Sequence, residues 1–145
     1  MDTTSGSATQ AILGYTMDEL QHRALEDIGT RLPMGFVATL SEIDTMDALR
    51  ASLMVHHLSS HAIVPCDFQL QASLAILHGK DSIVTAGTGS GKTLCQLIPL
   101  LLPPGTLLIT ISPLNGFKSL RYDILQCADV VPGVMIAVQS PGTRI

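Results

Sequence analysis

The sequence predicts an α/β fold, a partial parallel sheet flanked by helices and preceded by an N-terminal helical extension. Three observations predict it. Downstream of Pro65, short β-rich runs alternate with helical patterns in the order β-α-β-α-β, the arrangement that yields parallel strands joined by right-handed crossovers. Residues 106–111 are a nearly continuous apolar run, as expected of a strand covered on both faces. A glycine-rich loop stands between the first β-rich run and the helix after it.

The elements follow in order. Residues 1–10 are polar and Ser/Thr-rich, with no basic flank and no apolar stretch; they read as a frayed, disordered tail and not as a secretory signal. Residues 16–28 read as a helix, with Thr16 as cap, Asp18 and Glu19 in the first turn, and Leu20, Ala24, Leu25 and Ile28 at helical spacing. Gly29 and Pro33 end it. A second helix is expected over about residues 44–59, with Met46, Leu49, Leu53, Met54 and Leu58 on one face. Residues 1–61 thus form an acidic helical extension, and residues 62–145 the sheet-bearing part. Residues 68–78 are helical and closed by Gly79. Residues 82–86, Ser-Ile-Val-Thr-Ala, are the first strand. Residues 91–101 form an apolar helix that Pro99 should kink. Pro103-Pro104-Gly105 turns the chain into the strand at 106–111; a helix over 114–127 and a strand over 134–138 complete the pattern.

Composition narrows the function classes. At 145 residues and 46% hydrophobic, the chain suits one domain with a core and excludes a mainly disordered protein. The most apolar stretch, residues 97–109, is broken by Pro99, Pro103, Pro104 and Gly105, so it falls short of the ~20 apolar residues of a bilayer span; no membrane partner is expected. Cys66, Cys95 and Cys127 are odd in number and contain no CxxC, which argues against a disulfide framework or zinc site and for a reduced, intracellular compartment, the nucleus included. Residues 1–64 carry three arginines against eight acids, whereas residues 65–145 carry five basic residues against four acids. A strong basic footprint for nucleic acid is missing, and the acidic part is either a solvated cap or a docking surface for a protein partner. His57 and His61 have i, i+4 spacing beside His56, but no glutamate or further ligand accompanies them, so packing is expected there rather than a metal. Met46 and Met54 read as core.

The motif that carries chemistry is Ala86-Gly87-Thr88-Gly89-Ser90-Gly91-Lys92-Thr93. It fits the looser form of the phosphate-binding loop. Gly87, Gly89 and Gly91 permit positive φ and close approach of backbone to an anion. Successive N–H groups make a concave nest, backed by the positive end of the following helix. Lys92 reaches the β- and γ-phosphates, and the Thr93 hydroxyl is placed for Mg²⁺. Strand before and helix after are the context this motif requires.

With that loop in place, the chain resembles the first RecA-like lobe of superfamily-2 DEAD/DEAH-box helicases. Phe68-Gln69, Gly79-Lys80-Asp81, the loop itself and Ser112-Pro113-Leu114 carry the resemblance, which covers about residues 62–145. The runs Lys-Thr-Leu-Cys-Gln-Leu-Ile-Pro and Ile-Ser-Pro-Leu look most like RecQ-like DNA helicases. The resemblance implies ATP and Mg²⁺ as cofactors, with Gln69 reading adenine through its amide. It also implies that Ser112, Pro113 and Leu114 touch the nucleic-acid backbone, DNA rather than RNA, with Lys118 as a further contact. Around Lys118, Asn115-Gly116-Phe117-Lys118-Ser119 departs from the RecQ-like pattern.

Hydrolysis in that family needs a DExx sequence after a later strand, and after Ser112 the acids are Asp123 and Asp129 alone. A second lobe, with its arginine finger, is not expected in this length; such fingers are worth on the order of 10³–10⁵ in rate in related NTPases. The chain is therefore expected to bind nucleotide better than it turns it over, as a portion of a helicase. Two other readings stand beside this one. One is a non-catalytic nucleotide-binding interaction module or truncated remnant. The other is a small phosphate-loop kinase or NTPase, which GTP preference would favour.

Overall fold

Local capping signals fix the first elements. In this computed structural model, which describes residues 4–102, 109–112 and 135–138 and the side chains of 8–102, Thr16 starts α2 (Met17–Asp27) with a reciprocal capping box. Glu19 N donates to Thr16 Oγ1 at 3.4 Å, and Thr16 N donates back to Glu19 Oε2 at 2.8 Å. These bonds satisfy amide groups that a helix start otherwise leaves unpaired, and they hold the Glu19 carboxyl below its usual range. Leu20, Ala24 and Ile28 are buried as their spacing predicts, but Leu25 is 61% exposed. Upstream, residues 4–10 are not frayed: they belong to α1 (Thr4–Leu13). The reason is burial, since Thr9 and Ile12 are covered and α1 packs on the long helix over Glu42–Leu58.

A short 3-10 turn (Gly29–Arg31) and α3 (Met34–Val37) lead to α4 (Glu42–Leu58), capped by Ser41 Oγ accepting from Asp44 N at 3.2 Å. The predicted one-sided apolar face understates this helix. From Ala48 to His56 nearly every side chain is buried, including Ser52, whose hydroxyl donates to Ala48 O at 2.8 Å. α4 is the central helix, contacted by α1, α2, α5 and α6. One apolar cluster joins Leu20 and Ala24 of α2, Leu49 and Met54 of α4, Leu70, Leu94 and Ile98. The expected division at residue 61/62 therefore does not coincide with a break in packing.

The histidines near the end of α4 serve this packing. His56 is buried, with Nε2 2.7 Å from Arg31 Nη2. A guanidinium only donates, so this nitrogen accepts and the ring is neutral with its proton on Nδ1. Burial first, then the charges of Arg31 and His61, push the His56 pKa down. Arg31 also donates to His61 O. That contact helps hold a turn in which Ser60 and His61 have φ of 53° and 68°, and His61 N closes on His56 O at 2.7 Å, a helix ending normally built on glycine.

Helices α5 (Asp67–Leu77) and α6 (Thr93–Leu101) pack on each other and on α4. Gly79, at φ +69°, ends α5 as the sequence indicates. Pro99 lies inside α6. Having no N–H, it leaves the Cys95 carbonyl without its helical donor. Ser73 Oγ, buried on α5, lies 3.3 Å from that carbonyl and 2.7 Å from Gln69 O.

Strands β1 (Ile109–Ser112) and β2 (Met135–Val138) pair in parallel, Ile109 opposite Met135 and Ser112 opposite Val138. They realise two of the three predicted strands; the turn at 103–105, the start of the 106–111 run and the 114–127 helix lie outside the described residues. Residues 82–86 are a correction: they form no strand. A strand exists only through its ladder, and this segment has no ladder partner among the described residues; Ile83 is 96% exposed. The predicted three-stranded sheet is thus one parallel pair among the described residues.

The Ser73 bridge gives a direct test. Ser73→Ala should lower stability by about 1–3 kcal/mol, the cost of leaving a buried carbonyl unpaired. In a Pro99→Ala background the new N–H can satisfy Cys95 O, so the same substitution should cost clearly less. Denaturant unfolding of the four proteins measures this; equal costs in both backgrounds would contradict the bridge.

Candidate phosphate-binding site

The site begins at the start of α5. Cys66 occupies the N-cap, and Gln69, three residues on, returns its Oε1 to accept from Cys66 N at 3.0 Å. This is capping-box spacing with a thiol where Ser or Thr is usual. The other end of the Gln69 amide points away from its own helix. Nε2 donates to the carbonyls of Ser90 at 3.1 Å and Gly91 at 3.0 Å. Gln69 is 5% exposed, so these bonds act in a poorly solvated place where leaving them unmade is costly. One side chain therefore ties the start of α5 to the glycine-rich loop.

Two of the three loop glycines have the backbone predicted for them, whereas Gly87 is not at positive φ. Gly89 and Gly91 have φ of +81° and +77°, the region that L side chains avoid. Gly91 is constrained twice, because a Cβ there would lie 2.6 Å from Gln69 Nε2. Ser90 N closes a turn on Gly87 O at 3.3 Å. Lys92 Nζ folds back and donates to the carbonyls of Ala86 and Gly87, the latter at 2.8 Å. The lysine expected to extend to phosphates thus spans the loop in this conformation. Leu94 N and Cys95 N take up the first bonds of α6, to Gly91 O and Lys92 O, and no side chain among the described residues caps that helix.

The predicted residues come together in part. Gln69, Gly89, Ser90, Gly91 and Thr93 line one cleft, walled on its apolar side by Ile63, Val64, Leu94 and Leu97. Ser90 Oγ is buried there and has no hydrogen-bond partner among the described residues. Ala86 and Gly87 are joined to this group through Lys92, and Thr88 is exposed. Ser112 ends β1, at the carboxyl end of a parallel strand where ligands gather; Pro113, Leu114 and Lys118 lie outside the described residues. Cys66 and the Ile63–Val64 wall are site features that the sequence motifs do not point to; for Cys66, the Cys66-x-x-Gln69 spacing is the signal that could have found it. Cys95 is buried, and burial pushes its thiol pKa up, which suits packing.

Residues 66–126 match the family described as DEAD/DEAH box helicase. Over 74 residues the chain is 38% identical to the probable ATP-dependent RNA helicase DDX52 of Mus musculus, covering 51% of this chain and 12% of the mouse protein. Over 75 residues it is 37% identical to the mitochondrial DEAD-box ATP-dependent RNA helicase 47 of Arabidopsis thaliana, covering 52% and 13%. Over 135 residues it is 28% identical to the ATP-dependent DNA helicase DDX31 of Dictyostelium discoideum, covering 82% and 15%. The chain therefore matches only about an eighth to a seventh of the length of these relatives. No solved structure matches it. The expected helicase resemblance stands over residues 66–126, while its RecQ-like refinement receives no support from these relatives.

Gly91→Ala should cost about 1–3 kcal/mol from the left-handed backbone alone, with a further loss as the added carbon displaces the Gln69 amide. In a Gln69→Ala background that further loss should vanish. Thermal or denaturant unfolding checks it, and a Gly91→Ala cost independent of residue 69 would count against the close approach.

Proposed function

We propose that this chain is the nucleotide-binding portion of a DEAD-box helicase lobe, binding ATP with Mg²⁺ at the glycine-rich loop and RNA beyond the strand ends. The single observation that carries the reading is the coincidence of the family match with a glycine loop tied down by Gln69 and leading into a helix start with no side-chain cap among the described residues.

The residues suit a nucleoside triphosphate. The nest of N–H groups and the start of α6 offer donors to phosphate oxygens. Lys92 exchanges two neutral carbonyl acceptors for charged oxygens, a stronger pairing. The orphan Ser90 hydroxyl gains a partner at the same cleft, and Thr93 supplies the hard oxygen that Mg²⁺ prefers. When bound, Mg²⁺ offsets phosphate charge. Gln69 is the residue proposed to read adenine, and its amide must then give up a loop carbonyl, which couples base recognition to loop position.

RNA is preferred over DNA because the mouse and Arabidopsis relatives, each above 30% identity, are named RNA helicases. Ser112, Pro113, Leu114 and Lys118 remain the proposed contacts to its backbone. Residues 113–145 carry Asp123 and Asp129 as acids, neither in a DExx sequence, so nucleotide binding is the activity proposed for residues 66–126. We place this activity inside the cell, in keeping with the free thiols of Cys66 and Cys95.

Calorimetric titration with ATP and Mg²⁺ tests the reading. Lys92→Ala should weaken binding by at least about tenfold, ~1.4 kcal/mol, and GTP should bind more weakly than ATP. Binding unchanged in Lys92→Ala would overturn the loop assignment, and GTP preference would overturn the role of Gln69.

A further inference from the structure

Leu25 and Met34 are 61% and 49% exposed, yet they line one groove between α2, α3 and α4. Its floor is apolar and buried, made by Ala24, Leu32, Val37 and Leu49. Among the described residues Gln21 and Thr45 are its only polar lining residues, and its volume of about 220 Å³ takes one or two aliphatic side chains. None of these residues lines the phosphate cleft.

Two exposed carboxylates lie near the groove. Helical spacing places Asp18 one turn before Gln21 on α2 and Glu42 one turn before Thr45 on α4, and both are exposed. The arginines of residues 1–64 each have a partner outside the lining, although Arg31 adjoins the lining residue Leu32. Arg23 lies over the Tyr15 ring at 5.6 Å, Arg31 bonds His56, and Arg50 pairs with Asp47 and the Tyr15 carbonyl. With three arginines against eight acids, residues 1–64 carry a net charge of −5, so the field of this part of the chain is negative on balance. That field repels nucleic acid, anionic lipid and a second copy of the same acidic surface.

We propose that this groove is a docking site for a short basic amphipathic helix of a partner protein. Its apolar anchors fill the space beside Leu25 and Met34, and its lysines or arginines face Asp18 and Glu42. This is recognition of an amphipathic helix laid into an apolar groove, with charge setting orientation and partner choice.

The probe is a labelled synthetic helix with leucines at i, i+3 and i+7 and lysines elsewhere, titrated into the full chain by fluorescence anisotropy. A peptide of the same composition with the leucines dispersed around the helix is the control. The leucine-faced peptide should bind at least about tenfold more tightly than the control. Leu25→Glu or Met34→Glu should remove that difference, and Asp18→Lys with Glu42→Lys should weaken binding and its salt dependence. Leu25 and Met34 are exposed, so both variants should keep the wild-type circular dichroism and ATP affinity. Equal binding of both peptides, or binding untouched by Leu25→Glu and by Met34→Glu, would overturn the proposal. So would self-association that Leu25→Glu abolishes, or tighter binding to anionic vesicles than to the peptide.

Discussion

The candidate site depends on one side-chain amide. Gln69 accepts from the amide that starts its own helix and donates to two consecutive carbonyls of the glycine-rich loop. The loop needs such an anchor because its glycines, required for positive φ at Gly89 and Gly91, also raise the entropy of the unrestrained chain. Buried hydrogen bonds from a rigid helix offset that cost and fix where the N–H groups point. The same contact explains why position 91 tolerates no side chain. A chemistry that asks the loop to be flexible and placed is met by putting the constraint in a neighbouring helix.

That helix is placed in turn by polar contacts within an apolar core. α4 runs through the middle, buried on most sides, and α5 and α6 pack against it. Pro99 leaves the Cys95 carbonyl without its helical donor, and the Ser73 hydroxyl shares its one proton between that oxygen at 3.3 Å and Gln69 O at 2.7 Å. His56 and Arg31 pair near the end of α4, with a neutral ring accepting from a guanidinium. The acidic N-terminal part and the loop-bearing part thus share one core, so the position of the loop depends on packing that reaches as far as Leu20 and Ile12.

Much of this is legible in the sequence because its causes are local. Thr16 with Glu19, Gly79 as a helix stop, and the glycines before Lys92 each act within a few residues, and each is where the sequence puts it. The errors lie where partners are distant. Residues 82–86 have strand-like composition but no ladder among the described residues, and composition cannot supply a neighbour. Residues 4–10 have the composition of a tail, yet α4 offers this end of the chain a surface to pack on. Leu25 has the spacing of a buried residue and lies at an open groove instead. The family resemblance points the Gln69 amide at a base, and its tie to Ser90 and Gly91 is visible only in the fold.

Amide hydrogen exchange across residues 87–95, in the wild-type chain and in Gln69→Ala, tests the central claim most directly. If the amide holds the loop, protection at Ser90, Leu94 and Cys95 should fall by about tenfold or more while the buried amides of α2 keep theirs, since opening would be local. Unchanged exchange at those three residues in Gln69→Ala would contradict it.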